Sequence, residues 1–202
     1  MHPIIFSPCG NQLHFSKAKI RTPDDMKGKK FYAPVFLARY LNSLGGALVD
    51  MNIGEWYSSL NSGLIDGIGT VYAAMYVFKC LPLTPYHTNA GVAGFSSYFD
   101  SIVINNDTLK SLPLDVQKVF NDLEPWLVEE MIKMDQAELQ RALTECKKAN
   151  HIFIDLTPEE IQIWAEAAKP IHEQWIKENE DKGLPGKAVF EEAQRLIKKI
   201  SM

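Results

Sequence analysis

The residue types in this chain that could do chemistry are few, and their spacing assembles no reaction centre. Asp66, His87 and Glu55 form the best triad-like set, yet nothing in their separation brings them together. There is no G-x-S-x-G, no H-E-x-x-H, no phosphate loop and no G-x-G-x-x-G. His172 and Glu173 lie on a helical stretch without a second histidine four residues on, so they do not point to zinc. Cys9, Cys80 and Cys146 are scattered and odd in number, and they match no metal-ligand motif; either none pairs, or two pair and one stays free. No catalytic group, metal or cofactor is expected. Tyr32, Trp56, Thr70 and Tyr72 instead offer aromatic faces and neutral hydroxyls, which suit a flat or apolar solute held by stacking and a few hydrogen bonds. Glu55 adds a carboxylate at a helix start, where it can cap the helix or touch a solute.

The elements that must position these residues are concentrated between Ile20 and Gly67. Thr22 before Pro23, with Asp25 three residues on, is a capped start, and Gly28 stops it after about one turn. Lys30–Ala33 reads as a strand. Pro34 then opens a helix with Leu37, Tyr40, Leu41 and Leu44 at helical spacing, and Gly45-Gly46 ends it. Ala47–Met51 reads as a second strand and Gly54–Ser62 as a second helix. Leu64–Ile65 is a third strand running into an Asp66-Gly67 turn whose carboxylate holds backbone donors. Strand–helix–strand–helix–strand is the grammar of an α/β fold with a parallel sheet. Ligands approach the carboxyl ends of such strands, so the loops Tyr32–Val35, Met51–Glu55 and Gly67–Tyr72 are the candidate contacts.

Upstream, Ile4–Phe6 reads as a strand, Gly10-Asn11 as a turn and Leu13–Phe15 as the partner of a hairpin. Downstream, Thr70–Phe78 suits a helix against the cleft, and Leu81–Gly91 reads as a proline-punctuated connection. It carries His87, taken as a satisfied structural histidine rather than a catalytic one. Ser97–Asn105 alternates and reads as a strand, followed by a lead-in at Asp107–Leu109. From Leu114 to about Asn150 apolar residues keep helical spacing, and Pro125 should kink or split that helix. His151–Asp155 is a short strand, Thr157-Pro158 caps a helix over Glu159–Glu178, and Ala188–Ile200 is a last amphipathic helix. Arg39, one turn into its helix, reads as a surface cation.

The composition is that of a soluble globular chain long enough to bury a core: 202 residues, 46% hydrophobic and 23% charged. A net charge of −4 argues against nucleic acid, which asks for a basic face. No apolar run reaches the roughly 18 residues of a spanning helix. MHPIIFSPCG has neither the basic region nor the long apolar core of a signal peptide.

Five segments in register carry a resemblance: TPDDMKGKKFYAP, LGGALVDM, GEWYSSLNSGLIDG, LPLDVQKVF and KGLPGKAVFEEAQRLIKK. The chain resembles, from about Ile20 to its C-terminus, the DctP-type solute-binding proteins of tripartite ATP-independent periplasmic (TRAP) transporters. The resemblance implies an α/β fold of the periplasmic solute-binding type, mainly its second lobe with part of the first, and a long bent helix bridging the two. By that likeness residues 8–97 and 138–202 form the second lobe and 98–137 what remains of the first. It also implies capture of a small organic solute in the periplasm, without chemistry, and delivery to membrane permease subunits. The pattern starts well inside that of the family, so the chain is expected to begin downstream of its natural start, and the uncovered lobe to self-associate.

Two departures bear on the solute. The family's clamping arginine at the second-last position of the strand is replaced by Tyr32, and a common asparagine after Asp-Gly is replaced by Thr70. Tyrosine cannot supply the bidentate charged fork that arginine offers a carboxylate. A rival reading from another class is a small-molecule enzyme using Asp66, His87 or Glu55 on the same frame. A third is a sensory or interaction module without solute binding.

Overall fold

The computed structural model describes residues 2–200, and their side chains other than those of 5–9, 98–100, 121, 198 and 200. The Cys9 side chain, and with it any pairing of that thiol, therefore lies outside the described residues. The chain opens with a long strand, β1 (His2–Phe15), and a capped 3₁₀ turn at Pro23–Met26. Strand β2 (Lys30–Tyr32), helix α1 (Val35–Ser43), strand β3 (Ala47–Leu48) and helix α2 (Trp56–Ser62) follow. Next come strand β4 (Gly67–Thr70), helix α3 (Tyr72–Val77), strand β5 (Tyr86–Asn89), strand β6 (Ser96–Ile104) and helix α4 (Asn106–Ser111). Helix α5 (Leu114–Lys148), strand β7 (Ile152–Asp155), helix α6 (Pro158–Glu180) and helix α7 (Gly186–Ile200) complete it.

The sheet runs β3-β2-β4-β1-β5-β7, with β6 paired to the outer half of β1. β2 is parallel to β3 and β4, and β5 is parallel to β7, whereas β1 runs antiparallel to β4, β5 and β6. Helices cover both faces, and strand alternation sorts the side chains between them. Leu13, Phe15, Phe31 and Ile154 join α1 and α6 in one core with Trp164. Ile68, with Tyr32 and Phe153 packed against it, joins α2, α3 and α5 in the other, with Trp56, Met75 and Cys146. α5 is a long bent helix of 35 residues with Pro125 inside it, where the lost backbone donor bends the axis without ending the helix.

Several expectations are corrected. Ile4–Phe6 and Leu13–Phe15 do not form a hairpin: β1 runs unbroken through Gly10-Asn11, because its two halves pair with different strands. The third strand is Gly67–Thr70 rather than Leu64–Ile65, so Asp66-Gly67 enters a strand instead of turning away from one. The reason is steric. A Cβ at Gly67 would lie 2.6 Å from His14 O and from the Phe15 ring, so this backbone packs against β1 where no side chain fits. The Asp66 carboxylate does hold a backbone donor, Lys30 N at 2.8 Å. The connection Leu81–Gly91 contains β5, and Asp107–Leu109 lies within a short helix.

Candidate functional site

The carboxyl ends of β4, β5 and β7 lie together, and the middle of antiparallel β1 reaches them from the other direction. A cavity of about 540 Å³ opens there, walled by Gln12, Tyr72, Asn89 and Asp155 on the sheet side and by Leu139 and Leu143 of α5 on the other. Its polar groups form a short relay. The Tyr72 hydroxyl donates to Asn89 Oδ1 at 2.7 Å, and Asn89 Nδ2 donates to Asp155 Oδ1 at 2.7 Å. Gln12 is fixed by giving Nε2–H to Gly91 O and accepting from Ala90 N. Two carboxylates, Asp135 and Asp155, and no lysine or arginine are among the described residues that line the cavity. The arrangement can grip an apolar body and satisfy a few hydrogen bonds, and its described lining residues supply no lysine or arginine.

The residues singled out from sequence are placed at three depths. Tyr72 lines the cavity. Tyr32 and Trp56 pack at a tilt with ring centroids 5.2 Å apart, and Phe78 meets Trp56 edge-on at 5.4 Å, so they form an aromatic cluster outside the lining. Trp56 is 3% exposed, and its Nε1–H has no acceptor among the described residues. Burial, with a contribution from Asp50, raises the Tyr32 phenol above its ordinary pKa. Thr70 is buried in β4, where its carbonyl accepts from His14 Nε2 at 3.1 Å. Glu55 is exposed and closes a capping box by accepting from Asn52 N at 2.8 Å. Asp66, His87 and Glu55 are each engaged with a different local partner, and Arg39 pairs with Glu178 at 3.0 Å on the α1–α6 side.

Beneath Tyr72 lies a feature that sequence reasoning missed. His14 Nδ1 is 2.8 Å from His87 Nδ1, and His87 Nε2 is 2.9 Å from His151 Nδ1. Thr70 O can only accept, so His14 Nε2 carries a hydrogen. Neutral His14 must then accept at Nδ1 from His87, and neutral His87 must accept at Nε2 from His151. The rings are held neutral by burial, which lowers His14 to about 4. Burial first, then His14 and His151, lowers His87 to about 2. Burial also lowers His151. Buried Cys146 adjoins the chain, and burial pushes its thiol up to about 11. Among the described residues, one ligating atom each from His87, Cys146 and His151 lies within 4.8 Å of the others, a group that could hold a metal ion. The sequence signal for His14 was present: Gln12 and His14 alternate with Leu13 and Phe15, so both polar side chains share one face of β1.

A profile of the bacterial extracellular solute-binding proteins of family 7, the DctP type, matches residues 9–179. The C4-dicarboxylate-binding periplasmic protein DctP of Rhodobacter capsulatus is 25% identical over 170 residues, covering 82% of this chain and 50% of that protein. A marine metagenome TRAP solute-binding protein specific for aromatic acid ligands, solved with metahydroxyphenylacetate, superposes with a TM-score of 0.87 at 23% identity over 98% of this chain and 64% of that one. A TRAP solute-binding protein of Rhodoferax ferrireducens T118, solved with copurified benzoate, gives a TM-score of 0.83 at 22% identity over 97% of this chain and 62% of that one. The chain spans about half the length of the curated relatives it matches.

Proposed function

This chain belongs to the bacterial extracellular solute-binding proteins of family 7, and we propose that it is the solute-capturing part of a TRAP transporter that favours a flat or apolar solute over a simple dicarboxylate. On this reading it works in the periplasm, catalyses no reaction, and hands its solute to membrane permease subunits. The observation that carries the proposal is the cavity of about 540 Å³, where α5 contributes Leu139 and Leu143 beside Asp135, the sheet side contributes Asp155, and no lysine or arginine is among the described lining residues. A dicarboxylate entering it would meet the Asp155 carboxylate and lose its hydration with no lysine or arginine among the described lining residues to pair with. An aromatic body would be covered by Leu139, Leu143 and Tyr72. Beside Tyr32, at the carboxyl end of β2 and outside the cavity lining, the buried Trp56 Nε1–H has no acceptor among the described residues, so this corner carries a neutral donor where the family has an arginine. Relatives solved with metahydroxyphenylacetate and with benzoate lend further support.

We read residues 8–97 and 138–202 as one lobe and 98–137 as part of the other. Support comes from β6, whose one partner strand among the described residues is β1, and from the exposed apolar residues that follow it, including Leu114 at 83% exposure and Trp126 at 56%. Such a surface favours association between copies, and light scattering across a concentration series would detect it.

Calorimetry with benzoate and succinate on the wild type and on Tyr32→Arg tests the solute reading. A charge-assisted hydrogen bond contributes ~1.5–3 kcal/mol and a neutral one ~0.5–1.5 kcal/mol. The wild type should prefer benzoate, and Tyr32→Arg, which adds a cation beside Trp56 outside the cavity lining, should improve succinate binding about tenfold only where the solute extends to that cluster. Equal wild-type affinity for the two acids overturns the preference.

A further inference from the structure

The cluster beneath Tyr72 has the composition and arrangement of a metal site that no spacing rule in the sequence announces. Cys146 lies in the last turn of α5, and the helix ends through Asn150 with φ of +56° and a His151 N–H that bonds Cys146 O at 3.0 Å. That reversal sets His151 beside Cys146. Strand β7 then runs parallel to β5 in a register that places Phe153 opposite His87. His151, two residues earlier, therefore falls on the same face as Phe153, and its ring stacks on His87 at 5.1 Å. One helix end and one strand pair thus deliver an imidazole, a second imidazole and a thiol to a single point.

We propose that His87 Nε2, His151 Nδ1 and Cys146 Sγ bind a zinc-class divalent ion. Two imidazole nitrogens and a thiolate are the ligand set of a borderline-soft ion and not of calcium or magnesium. The three atoms already lie within 4.8 Å of one another. A tetrahedral zinc holds such atoms roughly 3.3–3.8 Å apart, so the 2.9 Å separation of His87 Nε2 from His151 Nδ1 opens by about half an ångström. His87 is prepared for this role. Its Nδ1–H is taken by His14, which is itself fixed by Thr70 O, so the lone pair of Nε2 faces the cluster. The hydrogen that His151 Nδ1 now shares with His87 Nε2 occupies the position the ion would take. On binding, that proton leaves to solvent, and half-exposed His151 takes one up at Nε2. The Cys146 S–H proton is also lost as the sulfur–metal bond forms, so the net release is about one proton per ion. The fourth position is left to water from the His151 side.

The test adds Zn²⁺ to the metal-stripped protein under calorimetry and Co²⁺ under absorption spectroscopy, with circular dichroism to establish that each variant is folded. The expected result is stoichiometric zinc with release of about one proton, and a thiolate-to-cobalt charge-transfer band in the near ultraviolet. Cys146→Ser should abolish the band. His151→Ala, at a half-buried position, should weaken zinc at least tenfold in a variant that circular dichroism shows to be folded. The absence of zinc binding by the wild type overturns the proposal. So does zinc binding that survives both substitutions unchanged, which would place the ion on other histidines.

Discussion

Two buried neutral histidines make the stability of this fold depend on pH in a window where few other groups titrate. An unfolded chain takes up protons on His14 and His87 as the pH falls through about 6.5, whereas the folded rings resist, at about 4 and about 2. Because the folded values are depressed, their contribution is fully present above 6.5 and is lost as the pH falls towards the folded values. Down to pH 5 both folded rings stay neutral, so the loss is set by the unfolded chain and does not depend on how far below 5 the folded values lie. About 1.5 pH units at about 1.36 kcal/mol each cost about 2 kcal/mol per ring, or about 4 kcal/mol for the pair. That is a large part of the ~5–15 kcal/mol that holds a domain folded. Urea unfolding of metal-free protein at pH 7, 6 and 5, followed by tryptophan fluorescence, reads the loss directly. Ring nitrogen chemical shifts in the native state should show His14 and His87 unprotonated at pH 5. An unchanged unfolding free energy between pH 7 and pH 5, or either ring titrating near 6.5 in the folded protein, refutes the reasoning.

Two substitutions probe the packing that positions the cavity. Gly67→Ala forces a Cβ to within 2.6 Å of His14 O and the Phe15 ring, between backbone and a buried aromatic with no room to yield, and should cost at least about 2 kcal/mol in urea unfolding. Tyr40→Phe removes the buried hydroxyl that donates to Trp164 O across α1 and α6. It should cost about 1 kcal/mol in the same assay and leave solute affinity unchanged, because Tyr40 is not among the residues that line the cavity.

Local rules carried much of the fold. The Thr22–Asp25 and Thr157–Glu160 boxes, and the proline that follows each threonine, mark element starts because capping is settled within four residues. Leu64–Ile65 looked like a strand because apolar residues bounded by turn signals usually are. Here Ile65 instead turns into the core, and the glycines of β4 carry the pairing, their value lying in the absence of a side chain. Of the candidate site residues, Tyr72 could be placed at the cavity because it lies two residues past a strand's carboxyl end. Gln12, Asn89 and Asp155 could not, since their convergence depends on β1 running antiparallel between β4 and β5. That pairing joins residues more than fifty positions apart. The histidine chain was hidden for the same reason: His14, His87 and His151 meet only through the sheet order.

The unbroken course of β1 ties these features together. Its outer half pairs with β6 and its inner half with β4 and β5, so the strand changes partners at Gly10–Gln12, where the cavity also opens. A Cβ at Gly10 would lie 2.4 Å from Val92 O. One at Gly94, whose φ is +65°, would lie 2.1 Å from Asn11 O, so backbone meets backbone at the crossing. The turn-like Gly10-Asn11 pair is therefore required by a close approach and not by a reversal of the chain. The same crossing fixes Gln12 against Gly91 and Ala90, and Gln12 in turn walls the cavity. Residues 98–104 and the solute cavity thus share one structural joint. Gly10 and Gln12 belong both to the strand that pairs with β6 and to the cavity wall, so a substitution that displaces this crossing should disturb both at once.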